Sequence, residues 1–148
     1  MFSKILVPID GSETARRGLQ VALDLAQRLN AQLTLLHVME FYPLMVEMVP
    51  SGAWTQVTEG VREFGQQLLD DARQKALAQG IATDAFLLDA SGARVADTIT
   101  EQARQHGCDL IVMGTHGRRG LQRTLVGSDA ELVGRHSAVP VMLVPQAS

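Results

Sequence analysis

The residues best placed to do chemistry are a set of spaced glycines and their neighbours. Gly114-Thr115-His116-Gly117 is followed, after nine further residues, by Gly127-Ser128. An apolar run, Asp109-Leu110-Ile111-Val112-Met113, leads into the first glycine, and Ser128-Asp129-Ala130-Glu131 opens a helical stretch after the last. A strand, a glycine-punctuated loop and a helix start together make an anion site. Glycine lets backbone N–H groups come close to a ligand, and a helix start offers unpaired donors at the positive end of its dipole. Arg118, Arg119 and Arg123 make this loop basic in a chain of net charge -3. The chemistry indicated is recognition of a phosphate-bearing ligand.

A second polar turn, Pro8-Ile9-Asp10-Gly11-Ser12, ends the first apolar run. In open parallel sheets, ligands bind beyond the carboxyl ends of the strands where strand order reverses. If these two strands are neighbours, Asp10 faces the glycine loop, where it either accepts hydrogen bonds from ribose hydroxyls or forms an Asx turn or cap before the first helix. Ser128 reads either as part of the anion site or as the cap of a Ser-x-x-Glu box. His116 reads as a phosphate contact or as a solvated loop residue. His37 reads as a satisfied strand-end residue, and Cys108 as a small inert residue entering a strand.

Other nucleotide and hydrolase patterns are absent. No G-x-x-x-x-G-K-[ST] occurs, no G-x-G-x-x-G follows the first strand, and there is no G-x-S-x-G. No His/Cys/carboxylate set has metal-site spacing. Neither a catalytic residue nor a metal ligand is expected.

The elements that must position these residues follow from periodicity. Runs 4–9, 33–38, 84–88, 109–113 and 140–144 are mostly continuous in apolar residues, as parallel strands buried on both faces should be. Stretch 13–29 places Ala15, Leu19, Ala22, Ala26 and Leu29 at helical spacing. Stretch 56–79 does so with Val57, Val61, Phe64, Leu68, Ala72 and Ala76, and stretch 93–106 with Val95, Ile99 and Ala103. Gly80 and Gly107 follow helical runs as left-handed end residues do. The alternation is that of a doubly wound α/β domain. Segment 39–54 breaks the regularity. It holds three Met, the only Tyr, the only Trp and two Pro, and reads as a loop packing its own apolar residues or as a lid or partner surface.

The chain's 148 residues suit one domain with a real core. Its mild acidity gives no argument for nucleic acid or an anionic membrane. One cysteine fits a reducing compartment. No signal peptide is visible and no apolar run is long enough to span a bilayer, so a cytoplasmic protein without nucleic-acid or membrane partners is expected.

The same residues resemble the universal stress proteins over essentially the whole length. Lys4-Ile5-Leu6-Val7-Pro8-Ile9-Asp10-Gly11-Ser12-Glu13 resembles the family's first strand and turn, Leu35-Leu36-His37-Val38 its second strand, and 109–117 its fourth. Gly114, Gly117, Gly127 and Ser128 satisfy the family's nucleotide pattern G-2x-G-9x-G-[ST]. The resemblance implies one domain over 1–148, with an open, parallel five-stranded sheet of order 3-2-1-4-5 and helices on both faces. It also implies ATP, or ADP or AMP in its place, with or without Mg²⁺ or Mn²⁺, in the crevice between the first and fourth strands. Pro8, Ile9 and Asp10 would line the adenosine, and Val38 would meet adenine through its backbone. Met113, Gly114, Gly117, Arg118, Gly127, Ser128, Asp129 and Ala130 would hold ribose and phosphates. Asp129 stands where nucleotide-binding members often have a neutral residue. There an acid favours the helix dipole but repels a phosphate.

In that strand order, 140–144 is an edge strand without a charged residue. A second copy paired through it, forming a homodimer, is the simplest cover. The expected role is a nucleotide-responsive stress or signalling module with at most slow ATP hydrolysis. The alternatives are a nucleotide-independent dimeric interaction protein and a slow nucleotide-using enzyme.

Overall fold

The structure, a computed structural model, describes residues 1–41, 43–90, 92–116 and 126–147, with Pro43 and Leu44 described in backbone only. The elements, in chain order, are β1 (Lys4–Pro8), α1 (Glu13–Leu29), β2 (Gln32–Met39), α2 (Pro43–Met48), α3 (Trp54–Ala78), β3 (Thr83–Asp89), α4 (Val95–Gln105), β4 (Leu110–Gly114), α5 (Ser128–His136) and β5 (Val141–Val144). The strands form one five-stranded sheet of order β3-β2-β1-β4-β5. Every neighbouring pair is parallel, with Ile5 opposite both Leu33 and Leu110.

Alternation along the strands divides the core into two layers. Ile5, Val7, Ile9, Leu33, Leu35, Leu110 and Val112 pack against α1 and α3. Leu6, Leu36, Val38, Ile111 and Met113 pack against α4 and α5. Burial on both faces explains why the strands read as continuous apolar runs. With all strands parallel, their carboxyl ends share one edge of the sheet, where β1 and β4 lie side by side.

Helix starts and stops follow local chemistry. Ser12 caps α1 by accepting the Ala15 N–H at 3.2 Å. Asn30, at φ 54°, ends the helix in the left-handed conformation. Gly80 and Gly107 sit at φ 74° and 65° after their helices, as expected.

The apolar stripes differ in detail. In α3 the residues facing the sheet are Gly65, Leu69, Ala72 and Ala76, while Phe64, expected in the core, is exposed. The reason is close approach. A Cβ on Gly65 would lie 2.5 Å from His37 Cδ2 and 2.7 Å from Leu87 Cδ1, so only glycine fits there. Leu29 of α1 is likewise exposed. Segment 39–54 contains the six-residue α2, begun by a proline whose missing N–H costs nothing at a first helical position. Met45, Val46 and Met48 are exposed rather than packed back onto the domain. Phe41 and Trp54 meet on either side of α2, ring centres 5.8 Å apart.

The tightest contact lies where α1 crosses the end of β4. A Cβ on Gly114 would lie 2.5 Å from Thr14 Oγ1, 2.6 Å from Thr14 C and 2.8 Å from Ala15 N. Gly18, one turn along α1, is similarly close, with Gly114 N 3.3 Å from where its own Cβ would be. At the opposite edge of the sheet, Asp109 accepts from Ser3 N–H (2.8 Å), Ser3 Oγ (2.7 Å) and Lys4 N–H (3.0 Å). Burial pushes its carboxyl up, but these hydrogen bonds outweigh it and hold it below the usual range.

Two outcomes follow. Gly114→Ala drives its methyl into backbone and costs roughly 1–3 kcal/mol in chemical denaturation. Gly60→Ala, at a helical site with nothing within 4 Å, instead stabilises by roughly 0.5–1 kcal/mol. For Asp109 the folded-state pKa is depressed. Its contribution is therefore complete above the unfolded carboxylate value of about 3.9 and is lost as pH falls through the folded value. Asp109→Asn is accordingly less stable than wild type at neutral pH, and the difference closes in acid, as thermal melts against pH will show.

Candidate functional site

The shared carboxyl edge brings the two polar turns together. β1 runs out through Ile9 into Asp10-Gly11-Ser12. Gly11 takes φ 83°, which reverses the chain into α1. Asp10 Oδ1 accepts the Ser12 N–H at 2.9 Å, the Asx-type turn that was one of its two readings. This bond orients the carboxylate and leaves Oδ2 outside the turn. Ser12, not Asp10, caps the helix.

β4 runs out through Gly114 to Thr115 and His116. The Thr14 hydroxyl donates to the His116 carbonyl, and Ser12 Oγ lies 3.4 Å from the same oxygen. The Thr115 N–H bonds Val144 O at 3.0 Å. The Gly127 N–H then bonds the Thr115 carbonyl at 2.6 Å, so the two ends of the glycine motif meet directly. Gly117 and Arg118, together with Arg119 and Arg123, lie outside the described residues.

That bond also sets the start of α5. Gly127 becomes the N-cap, a residue with no side chain to cap the helix, and Glu131 N–H bonds Gly127 O at 3.0 Å. Ser128 is therefore the first helical residue, which corrects its capping-box reading. Glycine anchored by its own amide wins over a serine cap, and the first turn of α5, begun by glycine, stands beside the end of β4. Asp129 and Glu131 lie in that turn.

The remaining expected residues fall into two groups. Val38, Met113 and Ala130 are buried in the α4/α5 layer beneath this edge, while Pro8 is half-buried at the end of β1. Ile9 points its side chain into the opposite layer. Both its backbone groups are committed, the N–H to Leu36 O at 2.8 Å and the carbonyl to His37 Nδ1 at 2.6 Å. His37 is thus the satisfied strand-end residue expected. His116 Nδ1 sits 2.9 Å from Thr115 Oγ1, and its Nε2 is buried without a partner among the described residues. Burial pushes the Cys108 thiol up, against a smaller opposite pull from the Thr34 hydroxyl, which keeps it a poor nucleophile. Among the described residues, no group of three or more His, Cys, Asp or Glu could hold a metal ion, and no helix is long and apolar enough to cross a membrane. The hydroxyls of Ser12 and Thr14, which clamp His116, are the residues that sequence reasoning missed. Their signal was the Ser-x-Thr that follows Asp-Gly.

The family model described as the universal stress protein family matches residues 1–145. The chain belongs to this family. Universal stress protein MJ0531 of Methanocaldococcus jannaschii is 32% identical over 144 residues, covering 97% of this chain and 82% of that protein. A universal stress protein family structure from Burkholderia pseudomallei is 33% identical, with a TM-score of 0.77 and coverage of 98% and 97%. The structure of protein MJ0577 is 25% identical, with a TM-score of 0.84 and coverage of 100% and 99%. Two structures share the fold at lower identity. A family member from Arabidopsis thaliana with AMP bound has 19% identity, a TM-score of 0.70 and coverage of 99% and 93%. One from Archaeoglobus fulgidus in complex with dAMP has 21% identity, a TM-score of 0.64 and coverage of 97% and 98%.

Because Ser12 Oγ satisfies an α1 amide beside the site, Ser12→Ala should lower unfolding stability by roughly 0.5–2 kcal/mol in denaturant titrations. Ser12→Asp, which can still cap, should recover most of it.

Proposed function

We propose that this universal stress protein binds an adenine nucleotide, ATP foremost, in the crevice between β1 and β4, and works as a nucleotide-responsive stress or signalling module in the cytoplasm. One observation carries the reading. The Gly127 N–H bond to Thr115 O seats the glycine-begun first turn of α5 beside the end of β4, where β1 delivers Asp10. An anion-accepting helix start thus stands next to a carboxylate able to accept from ribose hydroxyls. Two proteins of the same fold that hold AMP and dAMP lend support to the ligand class.

In this reading Asp10 Oδ2 takes ribose, Val38 and Met113 lie under the base and sugar, and Gly114, Gly127, Ser128 and Ala130 frame the phosphates. By the family resemblance, Gly117 and Arg118 would meet the same phosphates. Asp129 disfavours the outermost phosphate by charge. ADP or AMP would fill the same crevice, with or without Mg²⁺ or Mn²⁺. Hydrolysis is at most slow.

A homodimer through β5 belongs to the same proposal. Among the described residues β5 pairs only with β4, and Met142 is 38% exposed. The chain after β5 is drawn toward α1, where Arg17 donates to Pro145 O and Gln146 Nε2 lies 3.5 Å from Glu13 Oε2. In this proposal a second copy covers the outer edge of β5. A second reading, a nucleotide-independent interaction protein acting through its dimer and segment 39–54, is favoured by the exposed Met45, Val46 and Met48. It requires partner binding that is indifferent to nucleotide.

Mass spectrometry of any nucleotide that co-purifies with the protein, followed by calorimetry with ATP and adenosine, tests the reading. Asp10→Ala should weaken both ligands by a similar factor, roughly 10- to 150-fold, the worth of a charge-assisted hydrogen bond of about 1.5–3 kcal/mol. A loss confined to ATP would refute the ribose assignment. In light scattering the wild type should run as a dimer at micromolar concentration, and Met142→Lys should shift it toward monomer.

A further inference from the structure

The carboxylate of Asp10 is only as well placed as the turn that carries it, and that turn is held from behind. The β1–β2 ladder registers Pro8 opposite Leu36. One residue further, a side chain takes over from the ladder. His37, 3% exposed, brings Nδ1 to 2.6 Å from the Ile9 carbonyl. A carbonyl can only accept, so Nδ1 carries the proton of this bond. The Ile9 N–H is meanwhile bonded to Leu36 O. β2 therefore holds both hydrogen-bonding groups of Ile9, the second of them the carbonyl of the peptide that enters Asp10.

His37 is itself immobilised. The Phe64 ring meets it edge-on, centroids 6.2 Å apart at 80°. Gly65 admits α3 so closely that its own Cβ would lie 2.5 Å from the imidazole. Phe64 also covers the turn, with Cζ 3.3 Å from where a Cβ of Gly11 would stand. No other side chain donates to the Ile9 carbonyl among the described residues. This support lies on the α1/α3 side of the sheet, whereas Val38 and Met113, at the proposed crevice, lie on the α4/α5 side.

We propose that His37 is a positioning residue of the crevice: through its Nδ1–H bond to the Ile9 carbonyl it sets the direction from which Asp10 meets the ligand's ribose. The inference rests on the nucleotide reading above and adds to it a residue that need not touch the ligand.

The test is a double-mutant cycle on the full chain, read as adenosine affinity well below each variant's melting temperature. His37→Leu should weaken binding about tenfold in the wild-type background and less than about twofold when Asp10 is already alanine, since coupled residues are not additive. A merely structural His37 would give equal losses in both backgrounds, and that result overturns the proposal. His37→Asn, whose amide can reach the place of Nδ1, should stay within about threefold of wild type, whereas His37→Gln, whose amide reaches the place of Nε2, should not. If His37→Leu does not fold, this Asn–Gln pair decides, and equal affinities overturn the proposal. Wild-type protein that binds neither adenosine nor ATP would defeat the nucleotide reading and His37's role with it. Wild-type binding with additive losses defeats His37's role alone.

Discussion

The first turn of α1 rests on the backbone of β4 at Gly114, and much of the carboxyl edge is arranged by that contact. There is no room for a Cβ between Gly114 and Thr14. Because the helix sits this low, the Ser12 and Thr14 hydroxyls reach the His116 carbonyl and pin the chain as it leaves β4. With that exit fixed, the Thr115 carbonyl is available to the Gly127 amide, and α5 starts where it does. Gly114 fits the spaced-glycine pattern in the sequence, yet it is the packing of one helix on one strand that requires a glycine there.

The site is divided between the faces of the sheet. The start of α5 stands over the α4/α5 layer, while Ile9 packs in the α1/α3 layer and His37 lies against Phe64 and Gly65 of α3. On the α1/α3 side both backbone groups of Ile9 and the Nδ1 of the buried His37 are hydrogen-bonded. A buried imidazole is tolerated because its donor is satisfied by a carbonyl that would otherwise be orphaned past the end of the ladder.

Much of this was legible in the residues. The span of α1 follows from the amphipathic run over 13–29, though its cap falls to Ser12 rather than to Asp10, and the parallel character of the sheet follows from its unbroken apolar strands. Two errors share one cause. In α3 the apolar periodicity points to Phe64, but Gly65 faces the sheet because closeness, not hydrophobicity, selects that position. At α5 the Ser128–Glu131 box points to a serine cap, but Gly127 holds that place because its amide is claimed by Thr115. In both cases a glycine, which carries no pattern signal of its own, is placed by a distant neighbour.

The sequence by itself determined the five strands and, α2 apart, which segments are helical, where glycine and proline interrupt them, and that spaced glycines follow the fourth strand. Those features depend on residues a few positions apart, so they are written in local order. Only the tertiary structure decided that Gly114 lies under Thr14, that Thr115 and Gly127 close on each other, and that His37 rather than a backbone amide completes Ile9. Each of these joins residues brought together by sheet formation, and the free energy of such contacts depends on distances of a few tenths of an ångström that no local pattern encodes.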